Sequence, residues 1–263
     1  MPDAGDVTPV GGTDPLRKVA DAPIGVFAYV RRDGTPNAVP VTPFVVDGKV
    51  VVTSTLAYVA KAAAVRRDPH VALLAGGIQL ATTASVAVDR TPAWFNTHIR
   101  DAEIEKFPPT KQFLAIPFHE CLFPWYSARV VIGLDPADVT RTDRGDRVTI
   151  TTINPQGLPR ITPIDQPVDQ PVDEHCGALE VPGVGDGPAV VLVHEEHDAM
   201  ADLRQLTLVG VVRAGRFTVH GHRGSLAPQP TSLGAQLATI RSMRRSARSN
   251  RDRVADWPVA VAS

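Results

Sequence analysis

The sequence predicts a mainly β protein with short helices, arranged as two tandem copies followed by a C-terminal helix. Three observations lead there. Runs of alternating and β-branched residues are punctuated by Asp-Gly and Asn-Pro-Gln-Gly turns. Helical periodicity is confined to short stretches until the last thirty or so residues of the 263-residue chain. A Gly-x-Pro step before an alternating strand occurs twice, at Gly34-Thr35-Pro36 and at Gly157-Leu158-Pro159, which marks an internal repeat of roughly 120 residues.

Residues 15–20 open a short helix. Ile24 to Val30 reads as a strand, Arg31 to Pro36 as a turn in which Asp33-Gly34 supplies the positive φ, and Asn37 to Val46 as the return strand. Asp47-Gly48 makes a second tight turn into Lys49 to Ser54. Tyr58 to Arg67 is rich in helix formers, and Asp68-Pro69 stops it. Val71 to Leu74 and Ala84 to Val88 return to strand character. Helical pieces at Trp94–Lys106 and Lys111–Ala115 are broken by prolines. Ala128 to Leu134 is a strand that Asp135-Pro136 ends.

The pattern then starts again. Arg147 to Ile153, a turn at Asn154 to Gly157, and Leu158 to Ile164 repeat the first hairpin. Pro188 to Val193 echoes Pro69 to Leu74, and Leu206 to Val212 with Arg216 to His220 forms a hairpin around Ala214-Gly215. Residues 15–135 make the first copy and 146–257 the second, joined by a charged linker at Asp135 to Asp146. Asp165 to Asp173 repeats Gln-Pro-Val-Asp and reads as an exposed loop. Ser232 to Arg253 is helical, with Leu233, Leu237, Ile240 and Met243 as its apolar stripe.

Composition excludes several classes. Hydrophobic residues are 43% and charged residues 21%, as in ordinary globular chains. A net charge of −1 gives no global drive toward nucleic acid or anionic membrane. Cys121 and Cys176 are too few for a disulfide framework or a cysteine zinc site. No apolar run approaches the ~20 residues that span a bilayer. Met1 to Asp14 resembles neither a secretory signal nor a transit peptide, so a soluble, cytoplasmic protein is expected. The five lysines all lie at or before Lys111.

The block that carries chemistry is Thr53-Ser54-Thr55 followed by Lys61. A strand ending in hydroxyls, then a helix with a lysine near its start, makes a phosphate cradle of O–H donors, helix N–H groups and an ammonium. The alternative reading is that the hydroxyls cap the helix and Lys61 is solvated. His194-Glu195-Glu196-His197 has the wrong spacing for a helical zinc motif and reads as a solvated turn. His220 and His222 share a strand face, either as exposed histidines or as ligands to a metal or haem. Trp94, Phe95, Phe123, Trp125 and Tyr126 form an aromatic set for packing or for walling a bound ring. The arginines of the terminal helix read as a solvated face. No metal site is expected, and no catalytic side chain is identified.

The ordered set Asp33-Gly34-x-Pro36-Asn37-Ala38-Val39-Pro40-Val41, Asp47-Gly48-Lys49-Val50, Thr53-Ser54-Thr55, Ala60-Lys61-Ala62 and Arg66-Arg67-Asp68-Pro69-x-Val71-Ala72-Leu73 resembles the pyridoxamine 5′-phosphate oxidase-like split β-barrel superfamily. That group includes FMN-binding enzymes and deazaflavin (F420)-dependent relatives. The resemblance implies a six-stranded split barrel with its cofactor in a groove at a dimer interface. Pro40, Val41 and Thr42 match the strand beside the flavin ring, Thr53, Ser54 and Thr55 the segment beside the phosphate, and Lys61 and Arg66 the phosphate-binding cations. Ala60 stands where true pyridoxamine phosphate oxidases carry an arginine, which speaks against pyridoxamine phosphate as substrate. The resemblance implies an oxidoreductase that passes hydride between bound FMN or F420 and a small organic acceptor, as a homodimer or an internal pseudo-dimer. A non-catalytic carrier of flavin, F420 or haem is the alternative, with haem the less favoured ligand.

Overall fold

In a computed structural model, the described residues are 14–119, 123, 126, 128–142, 144–164, 173, 175–197, 202–228 and 233–260. The expected loop at 165–173, except residue 173, and the residues Cys121 and Trp125 lie outside them. No helix is long and apolar enough to cross a membrane among the described residues.

The first sheet contains β1 (Gly25–Val30), β2 (Pro36–Val41), β3 (Pro43–Val46), β4 (Lys49–Thr55), β5 (His70–Ala75), β6 (Ile78–Asp89) and β7 (Arg129–Arg141). Their order is β2-β1-β5-β6-β7-β4-β3. The two edge segments, β2 and β3, are consecutive in sequence and separated only by Thr42. One bent strand therefore occupies both edges, and the sheet closes on itself as a six-stranded antiparallel barrel. This is the split β-barrel expected from the resemblance. The single return strand read over 37–46 is broken at Thr42, where the chain changes pairing from β1 to β4. Pro36, Pro40 and Pro43 fall on this bent strand, whose segments each pair on one side only, so their missing N–H groups cost no ladder bond.

The barrel interior holds Phe27, Val52, Leu73, Leu80, Ile132 and Leu134. β1 is buried on both faces because Val26 and Ala28 point outward into a second cluster with Ala72 and Leu74, covered by Ile161, Val190 and Leu192. On another flank Phe44, Val51 and Val131 pack under Trp94, Phe95, Ile99 and Leu114, from the region of α3 (Ala93–His98), α4 (Arg100–Lys106) and α5 (Pro109–Leu114). α1 (Pro15–Asp21) starts with Asp14 as its cap, Oδ1 accepting from the Leu16 N–H at 3.0 Å.

The second sheet contains β8 (Val148–Ile153), β9 (Pro159–Pro163), β10 (Ala178–Glu180), β11 (Gly187–His197), β12 (Asp202–Arg213) and β13 (Arg216–Ser225), in the order β10-β13-β12-β11-β8-β9. Reading both sheets from the first hairpin, β9, β8, β11, β12, β13 and β10 stand where β2, β1, β5, β6, β7 and β4 stand. The likeness extends to a bulge. Ala137 is the extra residue of β7 opposite Ala81/Thr82, and His220 is the extra residue of β13 opposite Val209/Gly210.

Four sequence expectations change. β7 continues through Asp135-Pro136 to Arg141 on the start of β6, because the bulge accommodates the proline, so half of the expected linker is strand. His194 to His197 end β11, opposite Asp202 to Gln205, instead of forming a turn, and the buried His194 places Nε2 3.0 Å from the Asp146 carbonyl. The bulge interrupts the alternation between His220 and His222, both of which are exposed. Lastly, the C-terminal helix, α6 (Leu233–Arg253), packs Ile240, Met243 and Ala247 onto the core of the first barrel. Its continuation is tied there too: the Val88 N–H donates to the Pro258 carbonyl at 2.7 Å and the Ala260 N–H to the Val88 carbonyl at 3.0 Å.

Candidate functional site

Where the edges of the barrel meet, a cavity of about 620 Å³ opens between the Pro40–Thr42 bend, the end of β4 and the first turn of α2 (Ala60–Arg67). Of the eight residues that the sequence nominated, Pro40, Val41, Thr42, Thr53, Ser54, Thr55 and Lys61 line it. Arg66 does not. It is exposed on the far side of α2, stacked 4.9 Å from the Trp257 ring centroid and 3.8 Å from Asp256. Lys61 opens the helix and Arg66 lies in its last turn, so helical pitch sends them apart.

The hydroxyls do not cap the helix. The N-cap position of α2 is Val59, which makes no side-chain cap bond, so no capping side chain accepts from the first N–H groups of the helix, whose residues Val59, Ala60 and Lys61 line the cavity. Thr55 Oγ1 is buried and unpartnered. Its direct cross-strand neighbour is Arg129, which puts the two side chains on one face. Arg129 is fixed by a 2.8 Å bond to Glu103 Oε1 and by the Phe95 and Tyr126 rings, 4.5 and 4.7 Å from its guanidinium carbon. Tyr126 also donates to Glu103 at 3.1 Å. Arg129 Nε remains buried without an acceptor.

Lys61 is half-buried, and among the described residues no ion pair joins it to a carboxylate. Burial, and then the charge of Arg129, pull its pKa down from 10.5 to about 8. Lys106 shows what a satisfied buried lysine looks like here. Its pKa also falls to about 8 through burial, yet its ammonium donates to the Ala22 and Pro43 carbonyls at 2.9 and 2.5 Å and lies 5.2 Å from the Phe44 ring centroid. Lys106 ties β3 to the segment before β1. Among the described residues Lys61 makes no such bond.

The sequence reading missed Arg129, although an arginine at the start of an otherwise apolar strand is a signal. It also missed the contribution of the distant parts of the chain. Leu203 and Gln205 of β12 and Asn250 and Arg253 of α6 complete the lining. Asn250 Nδ2 donates to the Leu56 carbonyl at 3.0 Å, which holds α6 against the loop before α2. Of the aromatic set, Trp94 and Phe95 are packed in the flank cluster, and among the described residues none of the set lines the cavity; Tyr29 and Tyr58 do.

No protein-family model and no curated protein matches the sequence. Among solved structures the chain is similar to a conserved hypothetical protein of Mycobacterium tuberculosis, at 18% identity over 49% of this chain and 81% of that one, with a TM-score of 0.38. It is also similar to an F420 reductase (16% identity, 51% and 98% covered, TM-score 0.35). A third is an FAD-binding protein of Mesorhizobium loti (16% identity, 47% and 87% covered, TM-score 0.32). At such values the reading of the site rests on its own geometry.

Proposed function

We propose that the chain is an oxidoreductase of the split-barrel group that binds FMN or F420 in the cavity at Lys61. One observation carries the reading: Lys61, a half-buried ammonium with no carboxylate partner among the described residues, lines one cavity together with the uncapped start of α2 and with Thr55 and Arg129, whose hydroxyl and Nε are buried without a hydrogen-bond partner. Four types of donor without an acceptor fit a phosphate group. No histidine lines the cavity among the described residues, which favours a flavin-type group over haem.

In this reading Lys61 neutralises the phosphate, Thr55 and the first N–H groups of α2 donate to its oxygens, and Arg129, held by Glu103, adds a fixed positive charge. Thr42, outside both ladders, leaves its backbone groups to the ring. Leu203 and Gln205 close the cavity from the second sheet, keeping water from the reacting face as a second protomer would in a dimeric barrel. When bound, the cofactor supplies hydride chemistry at its ring, and a small organic acceptor is the other substrate.

The test is reconstitution of the purified chain with FMN, F420 or haem, followed by titration of Lys61→Ala. Absorption near about 450 nm marks flavin, about 420 nm deazaflavin, and a Soret band haem. Loss of a charged hydrogen bond, ~1.5–3 kcal/mol, weakens binding about 10- to 150-fold. Unchanged affinity removes the reading. Tight binding with no transfer of reducing equivalents to quinones or enones leaves a carrier.

A further inference from the structure

Beside the Lys61 cavity, on the other side of Ala60, lies a second pocket of about 580 Å³ lined by five arginines from four different elements. Arg31 and Arg32 come from the β1–β2 turn, Arg67 from the end of α2, Arg223 from β13 and Arg253 from the end of α6. No aspartate or glutamate lines it among the described residues. Among the described residues one acid is ion-paired with the set, the exposed Asp33, 3.8 Å from Arg31, and it is already engaged by the Thr35 N–H and hydroxyl at 3.1 and 2.5 Å.

The floor is built, too. Tyr29 and Asn37 are both 7% exposed, and Asn37 Nδ2 donates to the Tyr29 hydroxyl oxygen at 2.7 Å. That leaves the Tyr29 O–H proton to be donated. Arg223 Nη2 lies 3.5 Å from Asn37 Oδ1, and Arg67 Nη2 donates to the Val30 carbonyl at 2.9 Å, so two of the five guanidinium groups are oriented by the wall itself. Like charges converging from separate elements repel one another, and a concave surface lined by one sign concentrates ions of the opposite sign.

We propose that this pocket binds a multivalent oxyanion, a group bearing two or more phosphate or carboxylate charges. The two halves of the chain form it jointly: Arg31, Arg32 and Arg67 belong to the barrel, Arg223 to the second sheet, and Arg253 to the helix that returns from it. The pocket shares Tyr29, Ala60 and Arg253 with the Lys61 cavity. Its occupant is therefore either an extension of the molecule held at Lys61 or a separate anionic molecule beside it. Binding of a free polyanion does not depend on the Lys61 reading.

The experiment is calorimetric titration of the full chain with inorganic tripolyphosphate at fixed ionic strength. One-to-one binding is expected, weakened tenfold or more in Arg67→Gln/Arg223→Gln and, as an independent pair on the exposed turn, in Arg31→Gln/Arg32→Gln. Lys61→Gln retains the wild-type affinity. If Lys61→Gln abolishes binding and both arginine pairs leave it within twofold, the anion sits at Lys61; this proposal fails and the phosphate cradle stands. No binding to the wild type also overturns it. Two further arms identify the source. An extension of the Lys61 ligand makes FAD bind more tightly than FMN, an advantage lost in Arg67→Gln/Arg223→Gln. A separate molecule leaves tripolyphosphate affinity undiminished in FMN-loaded protein.

Discussion

β4 and β10 occupy the same place in their sheets, next to β7 and β13, yet the chain leaves them by different routes. β4 runs seven residues to Thr53-Ser54-Thr55 and hands the chain to α2 with Lys61 in its first turn. β10 runs three residues, Ala178–Glu180, and a short turn at Pro182-Gly183 leads towards β11 with no helix between. Among the described residues the second sheet also has no counterpart of β3, the segment whose continuity with β2 closes the first into a barrel. A shared strand order thus supports two roles. The barrel carries the donors, while the second sheet covers Val26, Ala28 and Leu74 and lends Leu203 and Gln205 to the rim. Two differences set the described parts of the copies apart: the strand-to-helix connection after β4 and the β3 segment that closes the barrel.

Four changes break or sharpen this contrast. Gly210→Val carries the largest effect. A Cβ at Gly210 would lie 2.0 Å from the Thr218 carbonyl oxygen and 2.8 Å from the Phe217 ring, so β12 and β13 must separate. We expect a loss of about 3 kcal/mol or more, read by urea denaturation. Because α6 and the Leu192 cluster join the sheets, both unfold in one transition; two separate transitions would make the second sheet an independent unit. Leu192→Ala, at the fully buried contact between the sheets, costs about 2–4 kcal/mol. It also weakens cofactor binding, because Leu203 and Gln205 lose their position, an effect seen in the same titration used for Lys61→Ala.

Lys61→Met sharpens the contrast from the other direction. Folding lowers the Lys61 pKa from 10.5 to about 8, so between those values the unfolded chain holds a proton that the folded chain has released. Stability from this group therefore rises with pH across that window, and below about pH 8 a constant penalty remains. Lys61→Met removes the penalty, and at pH 7 the variant gains about 1–2 kcal/mol, a rise of a few degrees in Tm. The gain shrinks as pH approaches 10.5, while binding of FMN or F420 in the Lys61 cavity weakens about 10- to 150-fold, as in Lys61→Ala. A variant less stable than the parent at pH 7 would mean that Lys61 already has a partner. The smallest effect is that of Gln205→Ala. An exposed rim residue that only excludes water shifts FMN affinity by about fivefold or less, and a hundredfold change would move the second sheet from wall to ligand-holder.

Much of this was legible in the chain. Asp-Gly turns, alternating runs and the Asp68-Pro69 stop place β1, β4, β5 and α2 within a few residues, and β2 and β3 as one strand, because turn chemistry and side-chain period are local. The echo of Pro69–Leu74 in Pro188–Val193 is matched in the fold, where β5 and β11 hold equivalent positions. Thr53, Ser54, Thr55 and Lys61 were legible as a set because a strand end and the next helix are neighbours in sequence. Arg66 was misleading since sequence proximity to Lys61 says nothing about which side of a short helix a residue faces.

The sequence by itself determined most of the elements and the one hydroxyl–lysine block, all of which depend on residues a few positions apart. Only the tertiary structure decided that β2 and β3 meet around a closed barrel and that α6 returns to the first copy. It also decided that Arg129, Asn250, Arg223 and Arg253 stand around α2. Those placements depend on which apolar faces cover one another across tens to hundreds of residues. Burial is non-directional and sums over the whole molecule, so no local pattern encodes its outcome.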